Sequence, residues 1–306
     1  MGKKPRKVLQ GIVNHCYQRT VDGRLIFYTV SDYLLYYTIS CVTSAKYQIR
    51  ILKLVIMPDH IHLAVIEEKK GDMYKYIKAC HSRFAREHNR LCHTRGQLFE
   101  HSFGSACKYY DKYVRVTMLY LDNNPVERQL AEKAEDYRWN FLAYGASDHP
   151  FSDPILLRLA SGHLRRAMKQ VTLLHEQGRF LPYPMLQRLF RSLPNDTERR
   201  QLVDFIIVTY SFIEHQTAIG YFGSYEAELI AAHAGAGREH DLNEVFNGKS
   251  DAHYQVMMRV LKKEGRYKRD IHEIFALSVT ERQSLFQLLR RKTSAPDKQI
   301  AAFLRL

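Results

Sequence analysis

The chain has 306 residues, 45% of them hydrophobic, and its 46 Lys and Arg against 32 Asp and Glu give a formal net charge of +14. It has no run of about 18 apolar residues, which excludes a transmembrane helix. The basic N-terminus is not followed by the apolar segment of a secretory signal. The five cysteines include no CxxC pair. We therefore expect reduced thiols and a cytoplasmic protein with no membrane partner.

The composition indicates a polyanionic partner. A large excess of basic residues together with 20 Tyr and 15 Phe is typical of proteins that bind nucleic acid. The excess is spread over both halves of the chain and does not form a tail. The alternative, a basic protein without such a partner, is left open by composition alone.

Strand and helix patterns alternate up to about residue 145. Residues 8–19 have the alternation of a strand, Asp22-Gly23 supplies a turn, and Ser31 is a suitable helix N-cap. Six further elements are predicted: a helix over 31–45, strands over 47–57 and 60–66 that turn at Pro58-Asp59, a helix over 72–91, a strand over 103–111, and a helix over 111–123 that ends before Pro125. This order predicts an α+β fold of the ferredoxin-like type with a mostly antiparallel sheet.

The rest of the chain has helical patterns. Residues 144–154 are rich in Gly, Ser, Asp and Pro and predict a linker, so we expect two domains, 1–148 and 155–306. Within the second domain a glycine-rich stretch, 220–248, separates two helical groups, and its segment 233–240 is interpreted as a plain loop. The last helical group loosely resembles a DNA-binding helix-turn-helix. A helical bundle that only packs or mediates oligomers is an equally good interpretation.

Two histidines interrupt the apolar segment LVIMPDHIHLAVI, residues 54–66. His60 and His62 are two positions apart in a predicted strand, so their side chains point to the same face. Two neutral imidazoles at a fixed separation make a pair of metal ligands. The alternative is a chance HxH in a chain with 15 histidines.

The segment VTMLYLDNNPVERQL, residues 116–130, offers a third ligand and a nucleophile. Tyr120 and Asn124 are four residues apart and therefore share one face of the predicted helix. A tyrosine phenolate beside a divalent metal can attack a phosphodiester while the metal polarises the phosphoryl oxygen. For Tyr120, one of 20 tyrosines, the alternative is core packing.

The helix over 72–91 is basic and amphipathic. Its cations could contact phosphates, with nearby tyrosines available to stack on bases. A solvated basic face with no ligand is an equally good interpretation. The predicted DNA-binding residues are Lys75, Lys78, Arg83, Arg86 and Arg90.

Five segments between residues 8 and 145 stand in the order found in a known family: HCYQRTVDGRLIF (15–27), MPDHIHL (57–63), RGQLFEHSF (95–103), YLDNNPV (120–126) and YRWNFLAY (137–144). With them the chain resembles the single-tyrosine HUH transposases, and among these the REP-associated tyrosine transposases. The resemblance covers about half of the chain.

The resemblance implies a role for each matching position. His60 and His62 would bind a divalent metal, Mg²⁺ or Mn²⁺, with Asn124 as the third ligand. Tyr120 would cleave single-stranded DNA and hold its 5′ end as a phosphotyrosine. The family often has an aromatic residue or a histidine between its Tyr and Asn, where this chain has Leu121-Asp122-Asn123. The carboxylate of Asp122 has no role in that pattern, and the adjacent Asn123 is an alternative to Asn124 as the ligand.

The favoured function is therefore metal-dependent cleavage and joining of single-stranded DNA at hairpin-forming repeats, as a transposase does. The expected partner is single-stranded or hairpin DNA, and a homodimer is compatible with this function. Two alternatives remain open: a domesticated hairpin-binding regulator that no longer moves DNA, and a metal-dependent phosphodiesterase that acts on small nucleotides. The high positive charge weighs against the phosphodiesterase.

Overall fold

A four-stranded antiparallel sheet forms the first part of the chain. In the computed structural model, residues 8–235, 250–267 and 270–306 are described. The sheet and the helices around it are β1 (Val13–Arg19), α1 (Val30–Ser44), β2 (Ile49–Ile56), β3 (His60–Glu67), α2 (Asp72–Cys92), β4 (Gly104–Lys108) and α3 (Asp111–Glu127). The strand order is β2-β3-β1-β4, and each neighbouring pair is antiparallel. This confirms the predicted α+β, ferredoxin-like fold.

Helices α1 and α2 pack on one face of the sheet and α3 covers the other. Cys16 of β1 contacts Met73 of α2 through sulfur atoms 3.2 Å apart. The neighbouring His15 and Tyr17 therefore point to the opposite face, because successive strand residues alternate. His62 pairs with Tyr17 across β3 and β1 and shares that face. The sheet thus presents both histidines of the HxH motif toward α3.

The second half of the chain is helical, as the sequence predicts. Its helices are α4 (Gly162–Glu176), α5 (Tyr183–Arg191), α6 (Asp196–Thr209), α7 (His215–Gly220), α8 (Tyr225–His233), α9 (Ala252–Lys263), α10 (Val279–Lys292) and α11 (Asp297–Leu304). No helix among the described residues is both long and apolar enough to span a membrane.

Helix α8 lies inside the glycine-rich stretch 220–248, which the sequence predicts only as a separation between two helical groups. Ser224 caps it by accepting a hydrogen bond from the Ala227 amide at 3.1 Å, and Glu226 and Glu228 lie in its first turn, where carboxylates are favourable. Helix-forming Ala and Leu residues outweigh the glycines on either side of this helix. Residues 236–249, which include most of the segment 233–240 and the end of the glycine-rich stretch 220–248, lie outside the described residues.

Pro125 lies inside α3, so the prediction that this helix ends before the proline is wrong. A proline has no amide hydrogen, so the last turn of this helix lacks one backbone hydrogen bond. The amides of Arg128 and Leu130 close this end by donating to the carbonyls of Asn124 and Pro125 at 3.1 and 2.9 Å. Asn124 consequently remains on the regular helix, one turn beyond Tyr120.

The helical half covers one edge of the sheet. The amide of Glu214 donates to the Ile51 carbonyl of β2 at 2.8 Å, and the Glu214 carboxylate binds the Arg50 guanidinium through two nitrogens. An exposed strand edge is prone to pair with other chains, so this contact protects β2. The predicted division at residues 148–155 remains a prediction.

Candidate active site

His60 and His62 project together from β3. Their ring centroids are 4.9 Å apart and the ring planes are nearly perpendicular. The two side chains are 5% and 0% exposed. Strand alternation alone places both on the face covered by α3.

Asn124 links the histidine pair to Tyr120. Its Oδ1 lies 3.3 Å from Nε2 of His60, and its Nδ2 donates to the Tyr120 hydroxyl at 3.4 Å. The Tyr120 ring lies edge-on to His62, with the centroids 5.8 Å apart. The structure therefore brings together all four residues that the sequence singles out, and their roles in metal binding and catalysis remain predictions.

Two further side chains orient the histidines. Nδ1 of His60 contacts the Asp59 carboxylate at 2.6 Å, which leaves Nε2 turned toward Asn124. Nδ1 of His62 contacts Nε2 of His15 at 3.1 Å. Metal-binding histidines typically engage their second ring nitrogen in this way. His15 is not among the site residues predicted from the sequence, although the alternation of β1 could have placed it on the same face as Tyr17.

The donor set fits a divalent cation. Ligands at right angles on an octahedral ion with bonds of about 2.1 Å are separated by roughly 3 Å, close to the 3.3 Å between His60 Nε2 and Asn124 Oδ1. The amide oxygen suits Mg²⁺ or Mn²⁺ and the imidazoles suit Zn²⁺, Fe²⁺, Cu²⁺ or Ni²⁺, so the three donors fit a divalent cation without selecting one. Asp59 and His15 would hold both rings in the orientation that binding requires.

A buried ionic cluster lies on the other side of α3. Nζ of Lys53, on β2, is 2.9 Å from Asp122 Oδ1 and 2.7 Å from Glu228 Oε1 of α8. Burial alone would lower the pKa of Lys53, but the two carboxylates raise it above its usual value. Burial raises the pKa of Asp122 to about 7, against the opposing effect of Lys53. The partner of Asp122 is thus Lys53, a residue that the sequence analysis did not connect to it.

Comparison with known proteins gives a family match over the segment that contains this site. Residues 20–124 match the model of the family described as "Transposase IS200 like". This segment is similar to the IS200-like transposases. The match spans about a third of the chain and contains His60, His62, Tyr120 and Asn124. It confirms, for this segment, the resemblance found in the sequence.

A solved structure also resembles part of the chain. It is described as "Structure of the REP associates tyrosine transposase bound to a REP hairpin", and the two chains share 16% identity with a TM-score of 0.40. The likeness covers 45% of this chain and 81% of that one. No curated protein gives a significant match.

The predicted DNA-binding residues lie on α2, on the sheet face opposite the histidines of the IS200-like segment. Four of them, Lys75, Lys78, Arg86 and Arg90, are exposed, whereas Arg83 is half-buried and donates to the Thr43 hydroxyl at 2.9 Å. Lys75 pairs with Asp72 and Arg90 with Glu87. The structure does not bring these five residues to the site, and their contact with DNA remains a prediction.

Three other tyrosines near the start of α3 are the obvious competitors of Tyr120. Tyr109, Tyr110 and Tyr113 are 58%, 69% and 51% exposed, whereas Tyr120 is 9% exposed. Tyr113 is two helical turns before Tyr120, about 10 Å along the helix axis. Of these four tyrosines, only Tyr120 has a described contact with His62 and Asn124.

A second cluster has the composition of a metal site, but one of its histidines contacts carboxylates through both ring nitrogens. His88, Cys92 and His272 hold ligand atoms within 4.8 Å of one another. The two ring nitrogens of His272 face the carboxylates of Asp270 and Asp32 at 2.5 and 3.1 Å. Burial alone would lower the pKa of His272, but Asp32 and Asp270 raise it to about 9. Both ring nitrogens of His272 are thus engaged by carboxylates, and the metal position predicted from the sequence remains the one at His60 and His62.

Proposed function

We propose that the chain is a metal-dependent transposase that cleaves and joins single-stranded DNA at hairpin-forming repeats. The observation that carries the proposal is the double contact of Asn124, which touches both a candidate metal ligand, His60, and a candidate nucleophile, Tyr120. Such a bridge places a nucleophilic oxygen beside a cation position. Metal-assisted covalent cleavage of a phosphodiester uses that arrangement.

His60, His62 and Asn124 would hold the divalent metal. When bound, the metal would neutralise charge on the phosphate and polarise its P–O bonds. Asn124 keeps its Oδ1 toward that position and its Nδ2 toward the Tyr120 oxygen, where an amide donor favours the phenolate. Asp59 and His15 fix the rings of the two histidines.

Tyr120 would carry out the transfer. Its hydroxyl oxygen attacks the phosphorus and loses its proton to solvent. The bond from phosphorus to the preceding 3′ oxygen breaks, and that oxygen takes up a proton to become a free 3′-hydroxyl. The 5′ end stays on Tyr120 as a phosphotyrosine, and attack by another 3′-hydroxyl reverses the step and joins the strands. Because Tyr120, His60 and Asn124 are only 5–9% exposed, neighbouring side chains must move aside when the DNA binds.

Basic charge would hold the DNA. The net charge of +14 suits a polyanion, and the exposed cations of α2 would extend the bound surface around the sheet. Because the substrate is DNA, the proposed location of the chain is the cytoplasm. A homodimer is also part of the proposal.

The test uses hairpin oligonucleotides with a single-stranded flank, incubated with the chain and Mn²⁺ and separated under denaturing conditions. A 3′-labelled strand should transfer its label to the protein, whereas a 5′-labelled strand should not, because only the downstream fragment stays attached. EDTA should abolish the transfer. Tight hairpin binding without any adduct would contradict the proposal and would support the regulator instead.

A further inference from the structure

Three charged side chains from distant parts of the sequence meet in the interior beside α3. They are Lys53 of β2, Asp122 of α3 and Glu228 of α8, and their side chains are 5%, 0% and 1% exposed. The lysine binds both oxygens of Asp122, at 2.9 and 3.0 Å, and Glu228 at 2.7 Å. Charges buried this deeply are stable only where their partners are fixed. Removing one partner leaves the remaining charges unpaired and without water, which is strongly destabilising.

The position of Asp122 on α3 connects this cluster to the proposed chemistry. Asp122 lies between Tyr120 and Asn124 in sequence, and two residues correspond to about 200° around a helix. It therefore points away from the side that contacts the histidines. Tyr120 and Asn124 secure one side of the helix to β3, and Asp122 secures the other side to β2 and α8.

A second contact joins the same two helices. Nδ2 of Asn123 donates to the Ala232 carbonyl near the end of α8 at 2.9 Å. Leu119 and Ala232 also belong to one small cluster of buried apolar side chains. Helix α8 thus holds α3 along the same turn that carries Asn124, and this use of Asn123 favours Asn124 as the ligand.

We infer that Lys53 and Glu228 are positioning residues, through which the helical half of the chain sets the rotation of α3 and thereby the placement of Tyr120 and Asn124. The inference rests on the proposed function for its consequence in catalysis, but the clamp itself is a property of the fold. An error of about 1 Å at a nucleophile can cost about a hundredfold in rate. A buried ionic clamp on the nucleophile helix would be a means of preventing such an error.

The variant Glu228→Gln tests the inference, and Glu214→Gln is its matched control. Both substitutions remove one carboxylate of the helical half that binds a cation of β2, Lys53 in the first case and Arg50 in the second. Only the first contacts the cluster that contains Asp122. Two measurements are made well below the unfolding temperature: hydrogen exchange of the α3 amides, and single-turnover cleavage of a hairpin oligonucleotide with Mn²⁺ at saturating protein.

For Glu228→Gln we expect exchange in α3 to rise at least about tenfold and cleavage to slow by roughly ten- to a hundredfold, with hairpin affinity unchanged. Glu214→Gln should match the wild type in both measurements. A merely structural role would lower the unfolding temperature and leave the cleavage rate of the folded protein as it was, and that result would overturn the inference. So would equal exchange in the two variants.

The outcomes separate this inference from the proposed function. A wild-type chain that forms no adduct would contradict the proposed function, and the exchange measurement would still decide the role of the clamp. If Glu228→Gln does not fold, Glu228→Asp keeps the charge but draws the carboxylate back by one methylene. We then expect a smaller change in the same direction in both measurements, and no change in either would overturn the inference.

Discussion

Asp59 and His15 each contact one histidine of the candidate site. Asp59 lies at the turn between β2 and β3 and reaches Nδ1 of His60 at 2.6 Å, while His15 reaches Nδ1 of His62 from the neighbouring strand at 3.1 Å. In both cases the contact leaves Nε2 as the nitrogen available for coordination. The Asp59 carboxylate can only accept, so it favours the tautomer of His60 with the proton on Nδ1, whereas the contact with His15 fixes the position of the His62 ring without fixing its tautomer.

Asp59→Asn should weaken Mn²⁺ binding by about ten- to a hundredfold, because the amide no longer fixes the His60 ring or strengthens its basicity. Calorimetric titration with Mn²⁺ measures the effect. Asp148→Asn, at an exposed position, serves as the control and should bind as the wild type does. Unchanged affinity in Asp59→Asn would show that His60 does not bind the metal through Nε2.

Helices α2 and α3 cover opposite faces of the sheet, so the basic helix and the candidate nucleophile cannot contact the same phosphate. DNA that meets both must pass around an edge of the sheet. The exposed cations of α2 would then add affinity without touching the scissile bond. Such contacts are sequence-independent and sensitive to salt.

Lys78→Ala and Arg86→Ala should each reduce the salt dependence of hairpin binding, the slope of log K against log salt, by about 1. Lys169→Ala, at an exposed position on α4, is the control and should leave the slope unchanged. Cleavage of bound DNA should proceed at the wild-type rate in all three variants. A slope that is identical in every variant would remove α2 from the DNA-binding surface.

Across the whole molecule, the two halves of the chain share one core. A single cluster of buried apolar side chains runs from β1 to α7. The Tyr37 hydroxyl of α1 donates to the Ile207 carbonyl of α6 at 3.0 Å, and the Leu181 amide donates to Thr38 at 3.2 Å. The last helices form a second cluster that includes Leu25, Tyr28 and Cys92. The helical half therefore contributes to the stability of the part that carries the site.

His272 supplies a pH-dependent part of that stability. Its pKa in the folded chain, about 9, lies above its ordinary value of 6.5. The stabilisation is therefore complete below pH 6.5 and is lost as pH rises through about 9, with a magnitude on the order of 3 kcal/mol. The unfolding temperature of the wild type should fall by several degrees more over this range than that of His272→Gln. Parallel curves for the two proteins would mean that His272 is not charged in the folded state.

Local patterns predicted the elements of the sheet and placed the four candidate residues on shared faces, and the family resemblance implied their roles. The alternation of β3 placed His60 and His62 on one face, and the helical spacing placed Tyr120 one turn from Asn124. The sequence did not show the partner of Asp122, because Lys53 and Glu228 are far from it in the chain and meet it only through packing. The sequence also did not predict α8. This helix is short and has glycines on both sides, so its Ser224 cap and its alanines did not stand out as a helical pattern.

The most direct test of the central claim is to identify the residue that carries the DNA. Wild-type protein, Tyr120→Phe and Tyr113→Phe are incubated with a hairpin oligonucleotide and Mn²⁺, digested with protease, and analysed by mass spectrometry for a peptide bearing a 5′-nucleotide. We expect the adduct on Tyr120 in the wild type and in Tyr113→Phe. We expect no adduct in Tyr120→Phe, although its affinity for the hairpin stays nearly unchanged, because only one hydroxyl is lost. An adduct that persists in Tyr120→Phe would contradict the account.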